Sequence, residues 1–129
     1  MQATISNCSN NYGPRQHVEK FIPRQITNVL DGCRPKLYGA GLNVRDWIHA
    51  DDHCAAIALV LDRGRIGETY NVGTGVEKSI DEIADLILDA LGRPRELKTT
   101  VPDRPGHDRR SLLDSGKIRR ERGSRPPIY

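Results

Sequence analysis

Residues 35–53 read PKLYGAGLNVRDWIHADDH, and the way this stretch is cut decides the fold. Residues 37–38 and 44–48 read as two short strands, with Gly39 and Gly41 between them free to take positive φ in a tight reversal. That spacing predicts a hairpin. Asp51 stands just before the apolar run at 55–61, where its carboxylate is expected to cap the first N–H groups of a helix. An aromatic ring (Tyr38), a guanidinium (Arg45) and a helix start are therefore expected to converge through short connections. A ligand with a flat ring and phosphates calls for such a set, since a guanidinium meets an oxyanion with two parallel donors. The plainer alternative is an ordinary hairpin with Arg45 paired to Asp46 or Asp51.

Working outward, 129 residues suffice for one modest domain with a small core. An apolar share of 36% and a charged share of 29% describe a polar chain. No apolar run approaches the roughly 20 residues of a membrane span. The start, MQATI, lacks a basic segment followed by a long apolar one, so no signal peptide is expected and the protein is read as cytoplasmic. Cys8, Cys33 and Cys54 are dispersed and odd in number, which favours free thiols in a reducing compartment. The net charge of +3 is uneven, with eight basic against four acidic side chains from residue 103 onward. Aromatics make up only 5%, and none alternates with the basic residues as base-stacking modules require, so nucleic acid is not expected as a partner.

Residues 3–8 read as a strand that breaks into an amide-rich loop at 9–14, and a strand so early hints that the chain begins inside a domain. Pro23 is suited to a first helical turn, with Ile26, Val29 and Leu30 following at helical spacing and Gly32 ending the run. A second helix is expected to stop near Gly64. Residues 68–73 form a β-type run that ends in Gly73-Thr74-Gly75. Ser79 and Glu82 then make a capping box, with Ile83, Leu86, Ile87, Ala90 and Leu91 as one apolar face and Gly92 closing the helix. A last strand is expected within 97–101, a rigid polar loop over 102–108, and a short charged helix over 114–123. Strands alternating with helices give an α/β or α+β class. No glycine-rich fingerprint opens a first βα turn, and Gly73-Thr74-Gly75 is only a partial substitute.

Four stretches stand in one order: SNNYGP at 9–14, EKFIP at 19–23, VRDW at 44–47 with Asp52-His53, and DRPGHDRR at 103–110. Together they resemble the C-terminal portion of the dTDP-glucose 4,6-dehydratases, a family of extended short-chain dehydrogenases/reductases. The resemblance covers nearly the whole chain. It implies an α/β fold comprising the substrate-binding part without the main nucleotide-binding Rossmann half, as a single partial domain over 1–129 with a loose tail at 124–129. The family converts dTDP-glucose to a 4-keto-6-deoxy sugar with bound NAD and is usually homodimeric.

Carried over position by position, the resemblance implies that Asn10 contacts the substrate and Asn11 the NAD side. Lys20 and Phe21 would line the substrate pocket. Lys36, Leu37 and Tyr38 would hold the thymine ring, by packing and main-chain bonds. Arg45 and Arg104 would grip the diphosphate, with His107 beside it. The family's fingerprint, its Tyr-x-x-x-Lys pair and its acidic dehydration residues would precede Met1, so no catalytic residue is assigned and the chain alone is expected to be inactive. Ser111 and Ser124 replace a usual Tyr and Trp, and nothing is carried over at Ser79 or Ile80. The alternatives are another nucleotide-sugar enzyme, such as an epimerase or decarboxylase, or a non-catalytic nucleotide- or RNA-binding module. His49 and His53 lie four apart, but a helix start between them explains the pattern without a metal. Cys54 is expected to pack as a small apolar residue.

Overall fold

The computed structural model describes residues 2–122, so the tail at 124–129 lies outside the described residues. In chain order the elements are β1 (Ile5–Cys8), β2 (Asn10–Tyr12), α1 (Phe21–Leu30), β3 (Lys36–Tyr38), β4 (Val44–His49), α2 (Ala50–Arg63), β5 (Thr69–Val72), β6 (Glu77–Ser79), α3 (Ile80–Ala90), a 3-10 turn (Arg95–Leu97), β7 (Thr99–Val101), β8 (Arg110–Ser111) and α4 (Gly116–Arg122). The class is α/β. Two compact units divide the described residues, one built from 2–13, 45–77 and 111–122, the other from 14–44 and 78–110.

In the first unit β1 and β5 run parallel, with Ile5 opposite Thr69 and Cys8 opposite Val72. β2 runs parallel to β4, with Asn10 opposite Trp47 and Tyr12 opposite His49. The segment read as a loop at 9–14 is thus partly a strand, because a ladder partner overrides the turn preference of its asparagines. Ile48, Ala56, Val60, Tyr70, Val72 and Ile118 form the core. Tyr70 is wholly buried, and its hydroxyl accepts from the Arg65 N–H at 3.2 Å and donates to Glu121 at 3.5 Å. The Tyr70 hydroxyl is therefore not left orphaned, which avoids a penalty of about 1–3 kcal/mol.

The start of α2 differs from expectation. His49, not Asp51, is the N-cap: its Nδ1 accepts from the Asp51 N–H at 3.3 Å, while the largely exposed Asp51 carboxylate caps no N–H and lies 3.6 Å from the same Nδ1. β4 runs up to His49, so the first residue outside the helix is two positions earlier than Asp51. Asp51 and Asp52 still occupy the first turn, where negative charge suits the helix dipole. Gly64 ends the helix as expected, its N–H donating to Val60 O at 2.7 Å.

In the second unit β3 runs parallel to β7, with Lys36 opposite Thr99 and Tyr38 opposite Val101, and α1 packs on α3. The predicted hairpin does not form. Gly39 and Gly41 do take positive φ, and Gly41 N–H closes a turn on Tyr38 O at 3.1 Å. The turn, however, leads the chain to the start of α3 rather than back along β3. There Asn43 O accepts from Ile80 N–H and Gly41 O from Asp81 N–H, both at 3.0 Å. With the Ser79–Glu82 capping box, this satisfies helix N–H groups that would otherwise lack partners. A Cβ at Gly41 would sit 3.1 Å from both Leu37 and Asp81.

α3 buries Ile83, Ala84, Ile87 and Leu88, whereas Leu86 and Ala90, expected on that face, are exposed. The apolar stripe is rotated by roughly one position because Ala84 and Leu88, at i and i+4, complete it. Gln25 is a buried polar residue of this unit. Its amide donates to Lys36 O and accepts from Lys36 N–H, both at 3.2 Å, as a strand partner would.

Candidate functional site

Tyr38 ends β3 in the second unit and gathers two of the residues singled out from sequence. The Arg104 guanidinium lies 4.1 Å from the centre of its ring and donates to its hydroxyl at 2.8 Å. The His107 ring meets it edge-on, centroids 6.4 Å apart at 89°. The Arg104 hydrogen bond, then its charge, lowers the Tyr38 phenol below the usual value, and Arg24 and Lys36 add to the effect. This is a cationic surface carrying an aromatic ring, chemistry suited to a phosphorylated ligand with a flat base.

The 102–108 loop is held in shape by Asp103. Its Oδ1 accepts from the Arg104 N–H and contacts His107 Nδ1, each at 2.8 Å. Those bonds hold the Asp103 carboxyl below its usual value, the His107 contact contributing most. The Arg104 main chain meets Asp103, while the Arg104 side chain goes to Tyr38. Gln25 was missed, since a glutamine in an amphipathic helix gives no sign that it will serve a strand. Through Lys36 it fixes the strand on which Tyr38 stands.

Lys20 and Phe21 mark the start of α1. Lys20 is the N-cap residue, makes no side-chain capping bond, and pairs with Glu19 at 3.5 Å. A lysine there opposes the helix dipole, and no acidic residue in the first turn offsets it. A residue that breaks a local stability rule is a candidate for function. Lys36 is exposed, while Leu37 is 2% exposed as a whole residue and is part of the core under the strand.

The other candidates belong to the first unit. Arg45 lies on β4, partly buried; its neighbour Asp46 is 1% exposed and turns inward, its Oδ1 accepting from Thr74 N–H at 3.2 Å and Thr74 Oγ1 at 2.6 Å. Asp46 therefore secures the Gly73-Thr74-Gly75 loop. Asn10 is exposed on β2. Asn11 is committed internally: its amide donates to Ser9 O at 3.1 Å and Cys8 Sγ at 3.2 Å, and its Oδ1 meets His53 Nδ1 at 2.9 Å. Burial pushes the His53 imidazole below the ordinary histidine value. His49 and His53 thus have partners other than a metal. Cys54 is exposed on α2 rather than packed in the core, because the helix turns Asp52, Ala56 and Val60 inward instead. All three cysteines are free thiols. No helix among the described residues is long and apolar enough to cross a membrane.

The curated relatives agree in kind. The chain is 56% identical over 126 residues to the dTDP-glucose 4,6-dehydratase of Mycolicibacterium smegmatis, covering 98% of this chain and 38% of that protein. It is 57% identical over 118 residues to the enzyme of the same description from Mycobacterium tuberculosis, covering 92% and 36%. Among solved structures, the dTDP-glucose 4,6-dehydratase DesIV of Streptomyces venezuelae, with NAD bound, superposes with a TM-score of 0.95 at 52% identity over 98% of this chain and 39% of that one. UDP-glucose 4-epimerase of Thermotoga maritima superposes at 0.92 with 28% identity, covering all of this chain and 42% of that one. The chain thus spans about two fifths of the length of the relatives it matches. The resemblance read from the four motifs is upheld by these identities. A family model described as GDP-mannose 4,6 dehydratase matches residues 1–128, and the chain belongs to that family.

Proposed function

We propose that this chain serves the 4,6-dehydration of a dTDP-hexose, with dTDP-glucose as substrate, and that its own residues chiefly bind the dTDP-sugar. The observation that carries the reading is the gathering of Arg104 and His107 on Tyr38, at the end of a strand fixed by Gln25. In the second unit, Lys36, Leu37 and Tyr38 take the thymine by packing and main-chain bonds, Arg104 takes the diphosphate with His107 beside it, and Lys20 and Phe21 line the substrate pocket. In the first unit, Arg45 binds diphosphate, Asn10 a sugar hydroxyl, and Asn11 lies on the NAD side. A guanidinium suits a phosphate and an amide suits a hydroxyl. Identities of 56–57% to dehydratases, against 28% to an epimerase, favour dehydration over epimerisation. A cytoplasmic setting and a homodimer go with this reading.

NAD, carried by related structures, is proposed as the cofactor, supplying the hydride acceptor when bound. The described residues do not by themselves compose its site. The Asn11 amide is occupied by Ser9, Cys8 and His53, and no glycine-rich βα turn is present to take a pyrophosphate. Calorimetry with dTDP, UDP and a single-stranded oligonucleotide tests the function. Preferential binding of dTDP is expected; binding of the oligonucleotide in preference to both nucleotides would overturn it.

A further inference from the structure

Among the described residues the His107 imidazole has one hydrogen-bond partner, the Asp103 carboxylate at its Nδ1. Asp103 is held in its ionised form by that bond and by the Arg104 N–H, and an ionised carboxylate can only accept. The proton between the two residues therefore sits on His107 Nδ1. In the neutral ring the lone pair is then on Nε2, at the other end. The chain beside the carboxylate leaves it room to sit here because it carries a glycine. Gly39, at φ +56°, lies so close that a Cβ there would stand 3.2 Å from Asp103 Oδ2. The charged and titratable groups around His107 are Asp103, the Arg104 guanidinium and the Tyr38 hydroxyl, with Arg24 and Lys36 acting on Tyr38.

We infer that Asp103 is a positioning residue of the nucleotide site, fixing His107 in the tautomer whose Nε2 accepts a hydrogen bond from a ligand O–H or N–H. This rests on the dTDP-sugar reading and deepens it. A phosphate oxygen meeting an unprotonated Nε2 is repelled, so the neutral ring suits a hydroxyl of the sugar or ribose, or the imide of the base. The phosphates are left to arginine. An aspartate behind the histidine fixes the ring and its proton in the way that carboxylates orient metal-ligating histidines.

The test begins with nitrogen-15 spectra of His107 in the intact protein at pH 8, above the ordinary histidine value of about 6.5. The proton is expected on Nδ1, and Asp103→Ala should release the ring to the other tautomer. By calorimetry, Asp103→Ala should weaken dTDP by about tenfold, and by less than about twofold in a His107→Ala background. Asp103→Asn, which retains an acceptor oxygen, should fall between wild type and Asp103→Ala and keeps the test open if the alanine variant folds poorly. An unmoved tautomer in Asp103→Ala, or an equal loss in both backgrounds, overturns the role given to Asp103. A tautomer that responds in a protein that binds no dTDP overturns the nucleotide reading, and the ligand role with it.

Discussion

Arg104 lies 4.1 Å above the Tyr38 ring and donates to the same residue's hydroxyl at 2.8 Å, although the two are 66 positions apart in sequence. One side chain thus serves both the face and the edge of the aromatic. This is the contact that most strongly pulls the Tyr38 phenol below its ordinary value. In Arg104→Gln the Tyr38 titration should move back up toward the usual tyrosine value of about 10. Carbon-13 NMR of the Tyr38 ring reads this directly, and an unchanged midpoint would show that the contact is not formed in solution.

Arg45 is expected to bind diphosphate through charge-assisted hydrogen bonds. Arg45→Ala should weaken dTDP by about 1.5–3 kcal/mol. Arg45→Lys should recover only part of this, since an ammonium lacks the two-pronged geometry. Calorimetry measures both, and dTDP affinity unchanged in the alanine variant would remove Arg45 from the site.

Asp46 belongs to the frame rather than to the ligand. Its carboxylate is buried and holds Thr74 by both main chain and hydroxyl. Thr74→Val, which keeps the shape and deletes the hydroxyl, should cost about 1–2 kcal/mol in a denaturant titration. Gly73→Ala should cost about 1–3 kcal/mol, because its Cβ would run into Asp46 Oδ2 and approach Ser115 Oγ at 3.2 Å. A Gly73→Ala protein as stable as wild type would mean that the loop shifts freely and that Asp46 does not secure it.

The elements with local signatures were legible. The Ser79–Glu82 box, the β-type run before Gly73 and the helix that stops at Gly64 need only neighbours in sequence, and each is present. What failed depended on partners far along the chain. The Tyr38-to-Val44 segment carries the glycines of a hairpin, yet β3 pairs with β7, and nothing near residue 40 reports a strand at 99–101. Asn10–Tyr12 reads as a turn until β4 lies beside it. Tyr38, Arg104 and His107 could be named from the motifs, but their convergence could not, because the contact depends on the 102–108 loop meeting the end of β3. Asp103 opens the 103–110 motif, yet the motif does not say that its carboxylate turns to His107.

The capping box of α3 carries a pH dependence. The Ser79 N–H, then the Ser79 side chain, lowers the Glu82 carboxyl in the folded protein. A carboxyl with a depressed folded value contributes stability above the unfolded value of about 4.3, and that contribution is lost as pH falls through the folded value. Ser79→Ala should cost about 1 kcal/mol at neutral pH. Glu82→Gln should flatten the stability curve below pH 4.5 or so relative to wild type. Parallel acid unfolding curves for wild type and Glu82→Gln would show that the box contributes nothing to the acid response.

The 129-residue chain by itself is expected to bind substrate without turning it over. Dehydration through a 4-keto intermediate needs a hydride acceptor held rigidly against the sugar, and the described residues supply no pyrophosphate-binding turn. It needs a base brought toward neutrality. Tyr12, Tyr38 and Tyr70 lack a lysine four positions on, and the Tyr38 hydroxyl is already held by Arg104. It needs an acid and a base for the loss of water, whereas Asp46 holds Thr74 and Asp103 holds His107. What remains is positioning, and positioning without a cofactor gives no hydride step. Purified chain incubated with dTDP-glucose and NAD should yield no 4-keto product above a control without protein. Product above that control would mean that a catalytic pair exists among residues given other roles, with Asp51 and Asp52 at the start of α2 the first to substitute.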